Sequence, residues 1–199
     1  MKRMAFLAVV ACLCGCALTG SGRAEFIITF AQNGANVDAT GSGSLNIAAL
    51  TFDHSDNGFP FVQGTFVIVQ VGVPSGPLDD YTGFTGPTSI GPGGPFPANI
   101  GSGPIVGIQD VPSIAQFVVV PFGYISDTPI IMSSAIWANE TIDGLGLTPG
   151  TYEWTWGSGA TADDLKLVIP SPAPEPASLT LLGIGVAGLA GYGWRRRTA

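Results

Sequence analysis

The apolar positions of this 199-residue chain fall in short runs broken by glycine and proline, and before Ala177 no stretch keeps a helical period without such a break. Phe26 to Ala31 (FIITFA) is a β-branched and aromatic run followed by a Gln-Asn-Gly turn signal, which predicts a first hairpin. Positions 37–47 alternate small or apolar with polar residues, predicting a strand with one wet face, closed by Leu50-Thr51-Phe52. Gly64 to Val73 (GTFVIVQVGV) is the clearest strand, and Ile105–Ile108, Ile114–Val120, Ile130–Trp137, Thr151–Trp156 and Leu165–Ile169 supply five more. Between them, Pro74 to Gly103 is dense in Gly, Pro, Ser and Thr with Tyr81, Phe84 and Phe96 embedded, and predicts a long loop or a pair of loops. Frequent turns between short apolar runs predict an all-β domain. The expectation is a single antiparallel β-sandwich of about eight or nine strands over residues 25–169, in jelly-roll or immunoglobulin-like order.

Both ends carry a different pattern. Residues 1–24 place Lys2 and Arg3 before an apolar run from Met4 to Leu18 and then LTGSGRA, the order of a secretory signal peptide. Gly22-Arg23-Ala24 sets small residues where a signal peptidase reads, so cleavage before Glu25 is expected. The alternative is that Leu13-Cys14-Gly15-Cys16, which resembles a lipobox, leaves Cys16 lipidated as the new N-terminus. At the other end, residues 170–176 form a Pro-rich stalk containing Pro174-Glu175-Pro176. Residues 177–199 then give one apolar segment and a basic tail. Ala177 to Trp194, if helical, covers roughly 27 Å, enough for one transmembrane helix with little slack. Arg195, Arg196 and Arg197 follow at once, which orients the C-terminus toward the cytoplasm and the body outside.

Charge sharpens this picture. The whole chain carries a formal −7, but its fourteen acidic residues all lie between Glu25 and Pro176 together with one basic residue, Lys166, so the exported region holds 1 − 14 = −13. Nucleic acid is thereby a poor partner, since phosphate contacts need Lys and Arg. The three cysteines, Cys12, Cys14 and Cys16, all fall in the leader. The body therefore has no disulfide, thiol nucleophile or Cys-based zinc site, and must hold together by its core.

Candidate chemistry is sparse. Asp53-His54-Ser55-Asp56-Asn57-Gly58 begins like a calcium loop, but the twelfth place is Gly64 where a bidentate Glu belongs, so it predicts a polar turn. A serine nucleophile would need His54, the one histidine, and no G-x-S-x-G elbow surrounds any serine. Glu140 and Glu153 are carboxylates with nothing in the sequence to bring them together. In Thr151–Trp156, Tyr152, Trp154 and Trp156 share one strand face. That face is either a platform for sugar rings or a cover for the sheet core, and the core reading is favoured.

The tail, read as Pro174-Glu175-Pro176, one span and Arg195 to Arg197, closely resembles the PEP-CTERM sorting signal. The body, chiefly Gly144 to Ile169, resembles that of PEP-CTERM proteins without assigned activity. The resemblance implies presentation to an exosortase, a membrane-embedded peptidase-like enzyme of Gram-negative bacteria that make exopolysaccharide. It implies a single-pass inner-membrane intermediate and then the cell surface or extracellular matrix. The expected function is an exported, non-catalytic surface or matrix protein with no catalytic residue, cofactor or metal. The alternative is a carbohydrate- or cation-binding module of the exopolysaccharide matrix, with Tyr152, Trp154 and Trp156 as its ligand face.

Overall fold

A computed structural model describes residues 25–113, 115–171 and 181–187. Thirteen strands, numbered in chain order, form two sheets among the described residues. One sheet takes β1 (Phe26–Asn33), β2 (Asn36–Gly43), β8 (Ile100–Ser102), β11 (Ile130–Trp137), β12 (Gly150–Trp156) and β13 (Asp163–Ile169), in the order β12-β13-β1-β2-β11-β8. The other takes β3 (Thr51–Gly58), β4 (Phe61–Gln63), β5 (Val67–Val71), β6 (Gly76–Thr82), β7 (Pro95–Pro97), β9 (Val106–Val111) and β10 (Ala115–Pro121), ordered β3-β6-β10-β9-β5-β4-β7. One buried cluster joins them: Phe26, Ile28, Phe30, Val37 and Ala39 of the first sheet lie with Val67, Val69, Val71, Ile108 and Val118 of the second. The two-residue period puts these side chains on the inner faces, and Trp137 stacks on Phe30 at 5.5 Å within that core.

The all-β expectation holds, and three details differ. Strands outnumber the expected eight or nine because β3 occupies the expected polar turn, and β6, β7 and β8 occupy the expected loop. Their residues (TFDHSDNG, GPLDDYT, PFP, IGS) lack clean alternation, but ladder hydrogen bonds are made by backbone and a neighbour can recruit almost any segment. The predicted strand 64–73 is shorter than expected: β5 takes residues 67–71, and residues 64–66 form the turn that joins it to β4. The sandwich is not wholly antiparallel either. The first and last strands, β1 and β13, pair in parallel, with Phe26 opposite Leu165 and Thr29 opposite Val168. Such pairing closes across almost the whole domain, so no local signal announces it. Lys166, the one Lys or Arg among the described residues, sits at that seam, ion-paired with Glu25 and with Asp164 at 3.3 Å.

Sheet edges are protected by charge, proline or cover. The edge strand β3 carries Asp53, His54 and Asp56, and the opposite edge β7 carries Pro95 and Pro97. Edge β12 is bridged by Thr85, whose N–H donates to Thr155 O at 2.9 Å while Thr155 N–H donates back at 2.8 Å.

The signal peptide 1–24 with Cys16, and Pro174, Glu175, Pro176, Arg195, Arg196 and Arg197, lie outside the described residues. Of the expected membrane helix, 181–187 is described: it is helical and exposed. Among the described residues no helix is long and apolar enough to cross a membrane.

Candidate functional site

Trp154 and Trp156 are buried, at 0% and 4% exposure, and each indole N–H is already satisfied. Trp154 Nε1 donates to Pro87 O at 2.9 Å and Trp156 Nε1 to Asn46 O at 2.7 Å, while the half-buried Tyr152 donates through its hydroxyl to Thr148 O at 2.9 Å. This aromatic face is therefore the core cover of β12 and not an open ligand platform. The segment before β7 lies over it, and no sugar ring reaches the two indoles.

The concave feature lies elsewhere, on the outward face of the second sheet. β3 and β4 are first and sixth in that sheet, which in a flat sheet would set them roughly 24 Å apart. Only Phe59 and Pro60 join them, and three residue steps reach at most about 11 Å. The sheet must therefore curl, and it curls over the face turned away from the main core. Leu78, Ile105 and Val119 form a second small buried cluster on that side, with Val73 and Phe117 against it.

Inside the curl is a groove of about 250 Å³ lined by residues of β3, β4, β5, β6 and β9 and the β3–β4 link. Phe59, Phe61, Ile68 and Leu78 give it apolar walls, and Asp56, Asn57, Gln70, Asp80 and Gln109 its polar groups. A Cβ on Gly58 would stand 2.4 Å from Leu78 Cδ2 and 3.3 Å from Gln70 Oε1, so a larger residue here would have to displace those side-chain ends within the groove. Phe59 and Phe61 meet edge to face at 5.8 Å.

The paired aspartates of β6 show what strand alternation does to two identical side chains. Asp79 points inward and is satisfied, accepting from Ser55 Oγ at 2.6 Å and Gly123 N–H at 2.8 Å. Asp80 points to the groove side at 7% exposure. Its Oδ2 lies 3.5 Å from His54 Nε2, and its Oδ1 is buried with no partner. Burial raises its pKa to about 6, helped by the charges of Asp56, Asp53 and Asp79 and opposed by His54. A bulge between Phe52 and His54 makes Asp53 the extra residue of β3 and lets its carboxylate reach His54 Nδ1 at 2.7 Å. That bond, with the charge of Asp80, raises the His54 pKa above its ordinary value.

Both shifts give one sign. Between the unfolded pKa of an aspartate, about 3.9, and the folded value of about 6, the folded state binds more protons at Asp80, so stability falls as pH rises. His54, raised in the fold, adds stability below its unfolded pKa that is likewise lost as pH climbs through its folded value. Thermal melts are expected to show a midpoint that declines from about pH 4 to about pH 7 in the native chain and a flatter profile in Asp80→Asn. Parallel profiles would remove Asp80 as the source.

Sequence reasoning placed Asp53–Gly58 in a turn and Asp79-Asp80 in a loop, so it missed this site. The legible signal was Gln70, a lone amide inside the apolar run VIVQVGV.

Glu140 and Glu153 do not line the groove, and no group of three or more His, Cys, Asp or Glu able to hold a metal is found among the described residues. Residues 172–197 match the family model described as the PEP-CTERM protein-sorting motif. The chain carries a PEP-CTERM sorting motif. That motif implies export, with processing by an exosortase at the membrane. The match begins at residue 172 and does not extend to the β domain. No match is found among curated proteins or among solved structures.

Proposed function

We propose that this is an exported, non-catalytic protein of the cell surface or extracellular matrix, delivered through its PEP-CTERM motif. The observation that carries the reading is the motif at 172–197, behind a β domain that closes its own core without a single cysteine. A body with that construction stays folded once it is separated from an apolar tail, because among the described residues the core is built from residues 26–169. The partners are the exosortase, the inner membrane through a single pass with the C-terminus in the cytoplasm, and afterwards exopolysaccharide. The strongly acidic exterior keeps such a product soluble and turns it away from nucleic acid. Parallel pairing of β1 with β13 makes the chain enter and leave the sheet at opposite ends, so an anchor at Cys16 and one after Pro176 would pull on opposite ends of the domain.

Mass spectrometry of both termini, on protein recovered from outside the cell, tests this reading. The expected product begins at Glu25 and lacks Arg195 to Arg197. Intact arginines on surface-exported protein would overturn exosortase processing, and a lipidated Cys16 would replace cleavage at Glu25 with the second anchor.

A further inference from the structure

The groove in the curled sheet has no part in delivery, and its chemistry is incomplete as it stands. Among the described residues, the side chains of Asn57, Gln70 and Gln109 make no hydrogen bond, although Gln70 is only 8% exposed. Beside them the Asp80 carboxyl is buried with one oxygen unpartnered, and the lining includes Asp56 but no cationic side chain. Gln70 is buried, Gln109 half-buried and Asn57 exposed, so it is the idle Gln70 amide and the unpartnered Oδ1 of Asp80 that cost free energy a ligand would recover.

We propose that this groove binds an amino sugar, one ring of a saccharide bearing a free primary ammonium. Each part of the site answers a part of such a ring. The ammonium supplies a counter-charge to Asp56 and to the unpartnered Oδ1 of Asp80, whose Oδ2 already faces His54, and is drawn in by a body of net −13. The three amides offer paired donors and acceptors for ring hydroxyls. Phe59, half exposed, and Phe61 present apolar faces to ring C–H groups and a quadrupole to the cation. Size limits the occupant: pockets for drug-sized molecules run roughly 300–1,000 Å³, so a groove of about 250 Å³ takes one ring at a time. A lysine side chain would satisfy Asp80 but leave the three amides idle. The proposal does not depend on the sorting reading, and either stands if the other fails.

Protonation of Asp80 supplies a built-in control. The groups facing it are His54, Asp53 and Asp56 on β3 and Asp79 beside it on β6, while β10 presents uncharged Val119. Below about pH 6 the carboxyl holds its proton and the attraction for an ammonium goes.

The test is calorimetric titration of the full chain with a glucosamine tetramer, its N-acetylated counterpart and a tetralysine peptide. The glucosamine tetramer is expected to bind at about pH 7.5 at least about tenfold more tightly than either comparator, and to weaken by a similar factor at about pH 5. Asp80→Asn is expected to lower its affinity about tenfold, and Gln109→Ala severalfold, with circular dichroism unchanged. Glu153→Gln, which removes one exposed charge from the other sheet, is expected to leave it unchanged. No binding, equal binding of the two tetramers, equal binding of tetralysine, or an equal loss from Glu153→Gln would each overturn the proposal.

Discussion

Trp154→Ala is expected to lower the unfolding free energy by about 3–5 kcal/mol, because a fully buried indole leaves both its transfer free energy and a cavity behind. The loss has a second part. Pro87 O, which accepts from the indole N–H, is left without that donor, so the segment preceding β7 keeps the two Thr85–Thr155 backbone bonds but loses one of its ties to β12. Denaturant unfolding with an unchanged m-value would report the loss directly. Trp154→Phe, which keeps most of the volume and gives up the hydrogen bond, is expected to cost less than half as much. A change within about 1 kcal/mol for the alanine variant would be incompatible with Trp154 as the cover of this core. The same variant addresses the sugar-platform reading, since neither substitution should alter ligand binding in a groove on the other sheet.

Gly93→Ala should unfold the chain at markedly lower denaturant than its neighbour Gly94→Ala. Three distant segments meet backbone to backbone at Gly93: Gly64 N–H and Thr65 N–H both donate to Gly93 O at 3.0 and 2.8 Å, and Gly93 N–H donates to Gly146 O at 3.0 Å. A Cβ on Gly93 would sit 1.9 Å from Leu145 O, against backbone that cannot rotate aside, whereas one on Gly94 meets nothing within 4 Å. Overpacking of this kind costs about 1–3 kcal/mol or more, and an unobstructed substitution stays within about 0.5 kcal/mol. Equal melting temperatures for the two variants would mean that the three segments do not meet as described. Gly91 and Gly146, at φ +144° and +64°, complete the junction, which is why a stretch so rich in glycine is ordered here rather than loose.

Legibility followed burial. Ile130–Trp137 was read with the bounds it has, and β1, β12 and β13 within a few residues, because their inward positions are apolar and their periods regular. β3 and β6 escaped notice because they build the outer groove and carry aspartate, histidine and glycine where a core strand would carry valine. A face that is polar on purpose looks like a turn when only one strand of it is in view. Tyr152, Trp154 and Trp156 show the converse: alternation put them on one face, and nothing in the alternation said what lay against that face.

By itself the sequence determined the composition of the core, the all-β class, the cysteine-free acidic body and the sorting motif, since each is a property of consecutive residues or of their count. Only the tertiary structure decided which sheet face is covered, that the first and last strands lie side by side, and that the second sheet curls until Asp56, Gln70, Asp80 and Gln109 share one groove. Those outcomes depend on backbone ladders between segments tens of residues apart, and the hydrogen-bonding groups of those ladders are the same in every residue but proline.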